Sequence, residues 1–170
     1  MILTLELLEI IRKDLQTLSF DVGSDRTAKT TSELSYIDHY GLPLFSERSA
    51  ISHYLGLYAS GDFKLAAQYW LPDNPKGTYF IIHGYLDHVG LYGHLIRHLI
   101  KLGYAVVAFD LPGHGLSSGN RATIKNFDPY VDAFSDLLCS CEARFPKPWK
   151  AAGQSTGGAI LIKYLLSPKA

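Results

Sequence analysis

The sequence predicts an α/β domain with a mostly parallel β-sheet covered by helices on both faces. The run Ala105 to Phe109 is continuously apolar, which is typical of a strand buried on both sides. Further short apolar runs alternate with helical patterns over residues 78–166, as in repeated strand-helix-strand units. A chain of 170 residues is long enough for one such domain.

The N-terminal stretch Met1 to Phe20 has the pattern of an amphipathic helix. No apolar run in it approaches the roughly 20 residues that a membrane span needs, and it lacks the features of a secretory signal. We therefore expect this helix to pack on the domain rather than on a membrane. Its apolar positions at helical spacing are Leu3, Leu7, Ile10, Ile11 and Leu15.

Residues 21–60 carry little periodic signal and are assigned, together with the first helix, to an N-terminal extension over residues 1–60. The main domain is assigned to residues 61–170. Its first two apolar runs, Phe63 to Leu71 and Thr78 to Ile82, are separated by a cluster of turn residues, Pro72 to Gly77. This arrangement predicts a β-hairpin.

The later elements alternate regularly between helix and strand. Asp128 can cap a helix with Pro129 at its first position, and an apolar stripe follows at Val131, Phe134, Leu138 and Cys141. The predicted order is helix over 89–102, strand over 105–109, helix from 128, strand over 149–152 and helix over 157–166.

The composition excludes several classes of partner. The chain is 47% hydrophobic and 19% charged, with 16 basic and 16 acidic side chains, so it carries no net field to attract nucleic acid or an anionic membrane. Cys139 and Cys141 are two residues apart in a helical pattern and point in different directions, which argues against a disulfide. A reduced, cytoplasmic location is expected.

The strongest chemical signal is the pentapeptide Gly153-Gln154-Ser155-Thr156-Gly157, a G-x-S-x-G between a predicted strand and a predicted helix. In such an elbow the serine occupies a strained turn, and small flanking residues let strand and helix approach closely. The pattern alone also fits an ordinary glycine-rich turn. Its position between strand and helix favours Ser155 as a nucleophile.

A second signal is the pair His83-Gly84 at the end of an apolar strand. The loop that follows can aim a backbone N–H at a reacting oxygen. For His83 we expect a structural, hydrogen-bonding role rather than that of a base. The group His83, Asp87 and His88 lacks a third histidine in register and a cysteine, so no zinc site is predicted, and no cofactor is expected.

The third signal is the loop Asp110 to Gly119, which follows the buried strand directly. Glycines on both sides of His114 indicate a tight turn. The favoured role of Asp110 is to accept backbone N–H bonds that hold this loop, and the triad acid is the less favoured alternative. His114 is expected to support the loop.

These three motifs, in this order, resemble the monoacylglycerol lipase and lysophospholipase branch of the α/β-hydrolases, also grouped with the S33 serine aminopeptidases. The resemblance covers roughly residues 60–170. It implies that Ser155 is an acyl nucleophile and that the amides of Tyr85 and Thr156 form the oxyanion hole. It also implies a lipid-like carboxylic ester as substrate; a peptidase or thioesterase of the same family would differ only in the leaving group.

The resemblance is incomplete after the elbow. In this fold the triad acid and base follow the serine in sequence, yet Thr156 to Ala170 contains no Asp, Glu or His. We therefore expect the N-terminal part of an α/β-hydrolase, truncated after the elbow and its helix, with an exposed sheet edge that invites self-association. The alternative is a non-catalytic or degenerate α/β-hydrolase-like domain that binds a ligand or a partner.

Overall fold

A computed structural model describes residues 4–21, 29–44 and 50–170. The helices are α1 Leu5–Asp14, α2 Thr31–His39, α3 Gly93–Lys101, α4 Asp128–Cys141 and α5 Thr156–Leu165, and a short 3₁₀ turn, Val89–Tyr92, precedes α3. The strands are β1 Ile51–Ser60, β2 Phe63–Pro72, β3 Thr78–Ile82, β4 Ala105–Phe109 and β5 Trp149–Gly153.

The five strands form one sheet in the order β1-β2-β4-β3-β5. Strand β3 is parallel to β4 and to β5, whereas β2 is antiparallel to both β1 and β4. Only β2 therefore runs against the other four, and the predicted mostly parallel sheet is confirmed. Every residue of the central strand β4 is buried, as its continuous apolar run predicted.

Helices cover both faces of the sheet, as predicted. On one face, α4 and α5 pack on a core that includes Phe80 and Val107. On the other face, α1, α2 and α3 enclose a second core that includes Trp70 and Val106. Because neighbouring residues of a strand point to opposite faces, Val106 and Val107 contribute to different cores.

The predicted hairpin between residues 63–71 and 78–82 is wrong. Strand β2 instead forms a hairpin with β1, in full register from Ser60 opposite Phe63 to Ile51 opposite Pro72. The two residues between the strands include Gly61 at φ +52°, a backbone conformation typical of the turns that join tightly paired strands. The longer, proline-containing connection after β2 leads to β3, which does not pair with β2.

The part of the chain before β2 is more structured than the sequence predicted. Helix α1 packs on the domain as expected, with Ile11 and Leu15 buried, although it ends at Asp14 and Leu3 lies outside the described residues. The sequence analysis missed α2 and β1. Helix α2 begins with a capping box in which the side chains of Thr30 and Glu33 each accept a backbone N–H from the other residue.

Helix α4 begins at Asp128 with a proline in its first turn. The predicted cap is wrong by one residue, because Phe127 is the N-cap and Asp128 lies inside the helix. Its stripe faces the core: Val131, Phe134 and Cys141 are buried. Burial raises the pKa of the Cys141 thiol, while Cys139 is exposed, and both are free thiols. Within the described ranges, no helix combines the length and apolar character required to cross a membrane.

Candidate active site

Three loops leave the carboxyl ends of three adjacent parallel strands. Residues 83–88 follow β3, residues 110–119 follow β4, and residues 154–155 join β5 to α5. Strand β3 lies between β4 and β5 in the sheet, so the first loop is flanked by the other two. In open α/β sheets, this edge is where ligands bind. All three motifs singled out in the sequence therefore converge at one edge.

Ser155 occupies a strained turn at this edge. Its backbone has φ 48° and ψ −111°, a conformation that residues with a side chain rarely adopt. Two backbone hydrogen bonds close the turn: Gly157 N–H donates to Gln154 O at 2.8 Å, and Ala159 N–H donates to Ser155 O at 3.0 Å. The serine itself is exposed. The turn thus presents its hydroxyl at the surface above the sheet edge.

The elbow has room for glycine alone at two positions. A Cβ at Gly157 would lie 2.2 Å from the carbonyl oxygen of Ile82 in β3. A Cβ at Gly153 would lie 2.4 Å from the carbonyl carbon of Gly157. Both distances are far shorter than any real contact, so the close approach of β5, α5 and β3 depends on these glycines.

The two predicted oxyanion donors lie on neighbouring segments. Thr156 is the first residue of α5, where helix N–H groups lack a partner within the helix. Tyr85 follows Gly84, and a Cβ at Gly84 would lie 3.5 Å from the carbonyl oxygen of Gln154, so the loop after β3 packs against the elbow. The Tyr85 hydroxyl donates to Ala122 O at 3.0 Å. The role of the two amides stays a prediction.

His83 is a buried structural residue, as expected. The Leu111 N–H donates to its Nε2 at 2.9 Å, and its Nδ1 lies 2.7 Å from Gly84 O. Because Nε2 accepts, Nδ1 carries the proton and donates to Gly84. Burial lowers the pKa of this imidazole, in spite of the opposing effect of Asp110. With both nitrogens engaged, His83 links the loops after β3 and β4 and has no nitrogen left to act as a base.

Asp110 holds two loops with one carboxylate. Its Oδ1 accepts from Val89 N–H and its Oδ2 from Leu116 N–H, both at 2.8 Å. Its main-chain oxygen accepts from the Ser117 hydroxyl at 2.6 Å, and its side chain is buried. These contacts confirm the expected acceptor role.

His114 supports the loop after β4. Its Nδ1 lies 2.9 Å from Pro112 O, so Nδ1–H is the donor. Within the described part of the chain, that Nε2 is buried without a hydrogen-bond partner. The ring lies among the rings of His83, Tyr85 and Tyr130. The expected supporting role fits these contacts.

The sequence analysis missed Tyr92 as a residue of this site. Its hydroxyl accepts from Gly84 N–H at 3.2 Å, donates to Asp87 Oδ2 at 3.0 Å, and also contacts the side-chain oxygen of Gln154. Tyr92 therefore contacts both the loop after β3 and the elbow. No spacing rule links Tyr92 to Gln154, because 62 residues separate them.

A second unpredicted contact comes from the N-terminal helix. The guanidinium of Arg12 in α1 donates to the main-chain oxygen of Gly115, which lies 103 residues further along the chain. Helix α1 thus helps to hold the loop after β4.

No described residue donates to or accepts from the Ser155 hydroxyl in a hydrogen bond. Among the same residues, no group of three His, Cys, Asp or Glu side chains is placed to hold a metal ion.

Sequence comparisons relate this chain to lipid hydrolases. It is 32% identical over 106 residues to the monoacylglycerol lipase of Mycolicibacterium smegmatis, a match that covers 61% of this chain and 38% of the relative. It is 37% identical over 106 residues to human monoglyceride lipase, covering 61% and 35%, and 34% identical over 96 residues to the phospholipase YtpA of Bacillus subtilis, covering 56% and 37%. The matched region thus spans little more than a third of these relatives.

Solved structures share the fold. A lipase in its open form superposes with a TM-score of 0.63 at 24% identity, covering 69% of this chain and 41% of the lipase. A soluble variant of monoglyceride lipase from Saccharomyces cerevisiae, in complex with a substrate analogue, has a TM-score of 0.58 at 21% identity, covering 68% and 38%. The strand order, the elbow and these likenesses establish an α/β-hydrolase fold. A family model for the serine aminopeptidases S33 matches residues 73–170, more than half of the sequence, and the chain therefore belongs to that family.

Proposed function

We propose that this protein is a serine hydrolase that cleaves carboxylic esters of lipid-like substrates, of the monoacylglycerol or lysophospholipid type. The observation that carries the proposal is the backbone of Ser155, held at φ 48° between β5 and α5. A strained serine on a strand-to-helix turn is the hallmark of the nucleophile elbow. The names of the relatives, two of them monoglyceride lipases and one a phospholipase, support the substrate class.

In the proposed reaction, Ser155 Oγ attacks the ester carbonyl carbon while its proton passes to a general base. The carbonyl oxygen becomes an oxyanion, which the N–H groups of Tyr85 and Thr156 stabilise. Collapse of this intermediate breaks the bond to the alcohol, which leaves with a proton and leaves an acyl group on Ser155. Water then attacks the acyl-serine and releases the carboxylic acid. None of these steps calls for a cofactor.

The general base and its acid partner are the open part of the proposal. Neither His83 nor Asp110 is free for these roles, because backbone groups occupy both nitrogens of His83 and both carboxylate oxygens of Asp110. In this fold the acid and base follow the serine in sequence. The proposal therefore assigns the base and the acid to none of the described residues.

A second candidate function follows from the lack of a free base and acid among the described residues. If no base reaches Ser155, the protein is a degenerate α/β-hydrolase-like domain that binds a ligand at the sheet edge without turnover. Loss of a triad member commonly removes several orders of magnitude of rate. For such a domain we expect Ser155 to show no reactivity.

The balanced charge and the free thiols of Cys139 and Cys141 support a cytoplasmic location as part of the proposal. Fractionation of cells, with detection of the protein in the soluble or the membrane fraction, tests it.

The deciding experiment is covalent labelling of the full chain with a fluorophosphonate probe, together with p-nitrophenyl butyrate hydrolysis. We expect mass spectrometry to find the label on Ser155, and we expect Ser155→Ala to abolish both labelling and turnover. Ser140→Ala is the matched control, since Ser140 lies on the exposed side of α4 and its hydroxyl only donates to Asp136 O. Labelling that persists in Ser155→Ala would refute the assignment, and an unreactive Ser155 would favour the degenerate domain.

A further inference from the structure

The hydroxyl of Tyr92 lies within hydrogen-bond distance of two acceptors but has only one proton to donate. Gly84 N–H points at it as a donor at 3.2 Å, and its own proton can reach either Asp87 Oδ2, at 3.0 Å, or the side-chain oxygen of Gln154. A phenol carries one donor and accepts through its lone pairs. Tyr92 therefore cannot donate to both Asp87 and Gln154.

One assignment of donors and acceptors satisfies all three hydrogen bonds of the Tyr92 hydroxyl, to Gly84, Asp87 and Gln154. The Tyr92 hydroxyl donates to the Asp87 carboxylate oxygen, and this bond uses its single proton. The oxygen and nitrogen of a side-chain amide are assigned from the hydrogen-bond network, and here a Gln154 turned by half a rotation directs its NH₂ at Tyr92. The phenol oxygen then accepts from Gly84 and Gln154 and donates to Asp87.

We propose that Tyr92 is a positioning residue for the oxyanion hole, at the centre of a directed relay in which Gly84 and Gln154 donate to its hydroxyl and the hydroxyl donates to Asp87. The relay deepens the proposed function and rests on it, because Gly84 precedes Tyr85, one of the two proposed oxyanion amides. Gln154 precedes Ser155. One hydroxyl thus sets the loop after β3 against the elbow.

The chemistry of Tyr92 suits this task. Burial raises its pKa to about 12, and the hydrogen bond to Asp87 acts in the same direction. The phenol therefore keeps its proton, and with it the direction of the relay, throughout the range in which ester hydrolysis is measured.

The first test is amide hydrogen exchange of the full chain, followed by NMR, in Tyr92→Phe. Loss of one hydrogen bond should speed Gly84 exchange by roughly three- to tenfold. The Leu111 amide, which His83 holds, is the internal control and should not change. Tyr104→Phe, which removes a hydroxyl bonded to Lys150 on the surface, is the control variant. Unchanged exchange at Gly84 in Tyr92→Phe would overturn the relay.

Gln154→Glu tests the direction of the relay. A carboxylate at this position cannot donate to Tyr92. It competes with Asp87 as an acceptor for the single Tyr92 proton. We expect faster Gly84 exchange at pH 7, and recovery of wild-type protection as the pH falls through about 4 to 5, where the introduced glutamate side chain binds a proton. A variant that matches the wild type at pH 7 would show that Tyr92 donates to Gln154, which contradicts the proposed direction.

Fluorophosphonate labelling separates the relay from the function on which it rests. We expect Tyr92→Phe to label Ser155 about tenfold more slowly, which corresponds to one lost hydrogen bond of about 1.4 kcal/mol. If exchange at Gly84 rises but labelling keeps its wild-type rate, Tyr92 is only structural and the positioning role is refuted. If the wild type itself is not labelled, the hydrolase proposal fails, and the exchange data alone decide whether the relay exists.

Discussion

Gly157 of α5 lies against Ile82 of β3 so closely that a Cβ on the glycine would come within 2.2 Å of the Ile82 carbonyl oxygen. The obstacle is main chain at the carboxyl end of β3, which cannot move aside as a flexible side chain would. The contact brings the start of α5 onto the strand that carries the proposed oxyanion loop.

We expect Gly157→Ala to destabilise the fold by about 2–3 kcal/mol, the cost of forcing an extra carbon into a packed site. Gly158→Ala is the matched control, because a Cβ there would meet Gly153 O at an ordinary 3.4 Å. The control should be neutral or slightly stabilising, since alanine favours helix over glycine by up to about 1 kcal/mol. Urea unfolding of both variants measures the difference, and equal stabilities would contradict the elbow geometry.

A second prediction concerns the buried carboxylate of Asp110. Asp110→Asn replaces one of its two acceptor oxygens by an NH₂ group, which would face the N–H of Val89 or of Leu116. Leaving a buried donor unpaired in this way costs about 2–3 kcal/mol. Chemical denaturation checks the value. Asp132→Asn, which alters an exposed ion pair with Lys169, should change stability far less, and an equal loss would show that Asp110 does not hold the two loops.

Much of this fold could be predicted from the sequence because the relevant signals are local. The apolar run of β4, the proline at the start of α4 and the glycines around Ser155 each act over a few residues. Local rules of this kind place an element without knowledge of its neighbours in space. They were sufficient for the strand-helix alternation and for the tight turn at Ser155 between β5 and α5.

The hairpin was mispredicted because pairing of strands depends on their partners. The segment Pro72 to Gly77 is richer in turn residues than the two-residue connection at Gly61, so local turn content indicated the wrong pair. Strand β1 alternates imperfectly, since both faces of its middle are buried, and it gave no clear period. The same limit applies to the site: Tyr92 and Gln154 meet only because β3 and β5 are neighbours.

A third prediction concerns stability at acid pH. His53 is buried and stacked on Trp70 at 4.6 Å, with its Nε2 3.1 Å from Gln68 Oε1. Burial, reinforced by Lys29, lowers its pKa from 6.5 to about 3. Below pH 6.5, His53 binds a proton in the unfolded chain but not in the folded chain. The free energy of unfolding therefore decreases as the pH falls towards 3. For this group the loss is about 2 kcal/mol between pH 7 and pH 5.

The measurement is urea unfolding at pH 7 and pH 5, for the wild type and for His53→Gln. The glutamine NH₂ lies as far along the side chain as Nε2, so it can donate to Gln68, but it does not titrate. The variant should therefore be less stable than the wild type at pH 7, yet lose about 2 kcal/mol less on acidification. Burial also lowers the pKa of His83 and of His88, so a dependence of the same sign remains. An identical pH dependence in both proteins would contradict a neutral, buried His53.

The last prediction concerns self-association through the β5 edge of the sheet. Among the described strands, β5 has a neighbour on one side only. The adjacent helix α5 and the residue after it expose Ile162, Leu165 and Leu166 at 63%, 70% and 83%. An open strand edge beside uncovered apolar side chains favours association. We expect the chain to associate with rising concentration in sedimentation velocity. The double variant Leu165→Lys, Leu166→Lys should shift it towards monomer, whereas Leu102→Lys, at an exposed leucine after α3, should not. A chain that stays monomeric at high concentration, or that responds equally to both variants, would exclude this surface as the cause.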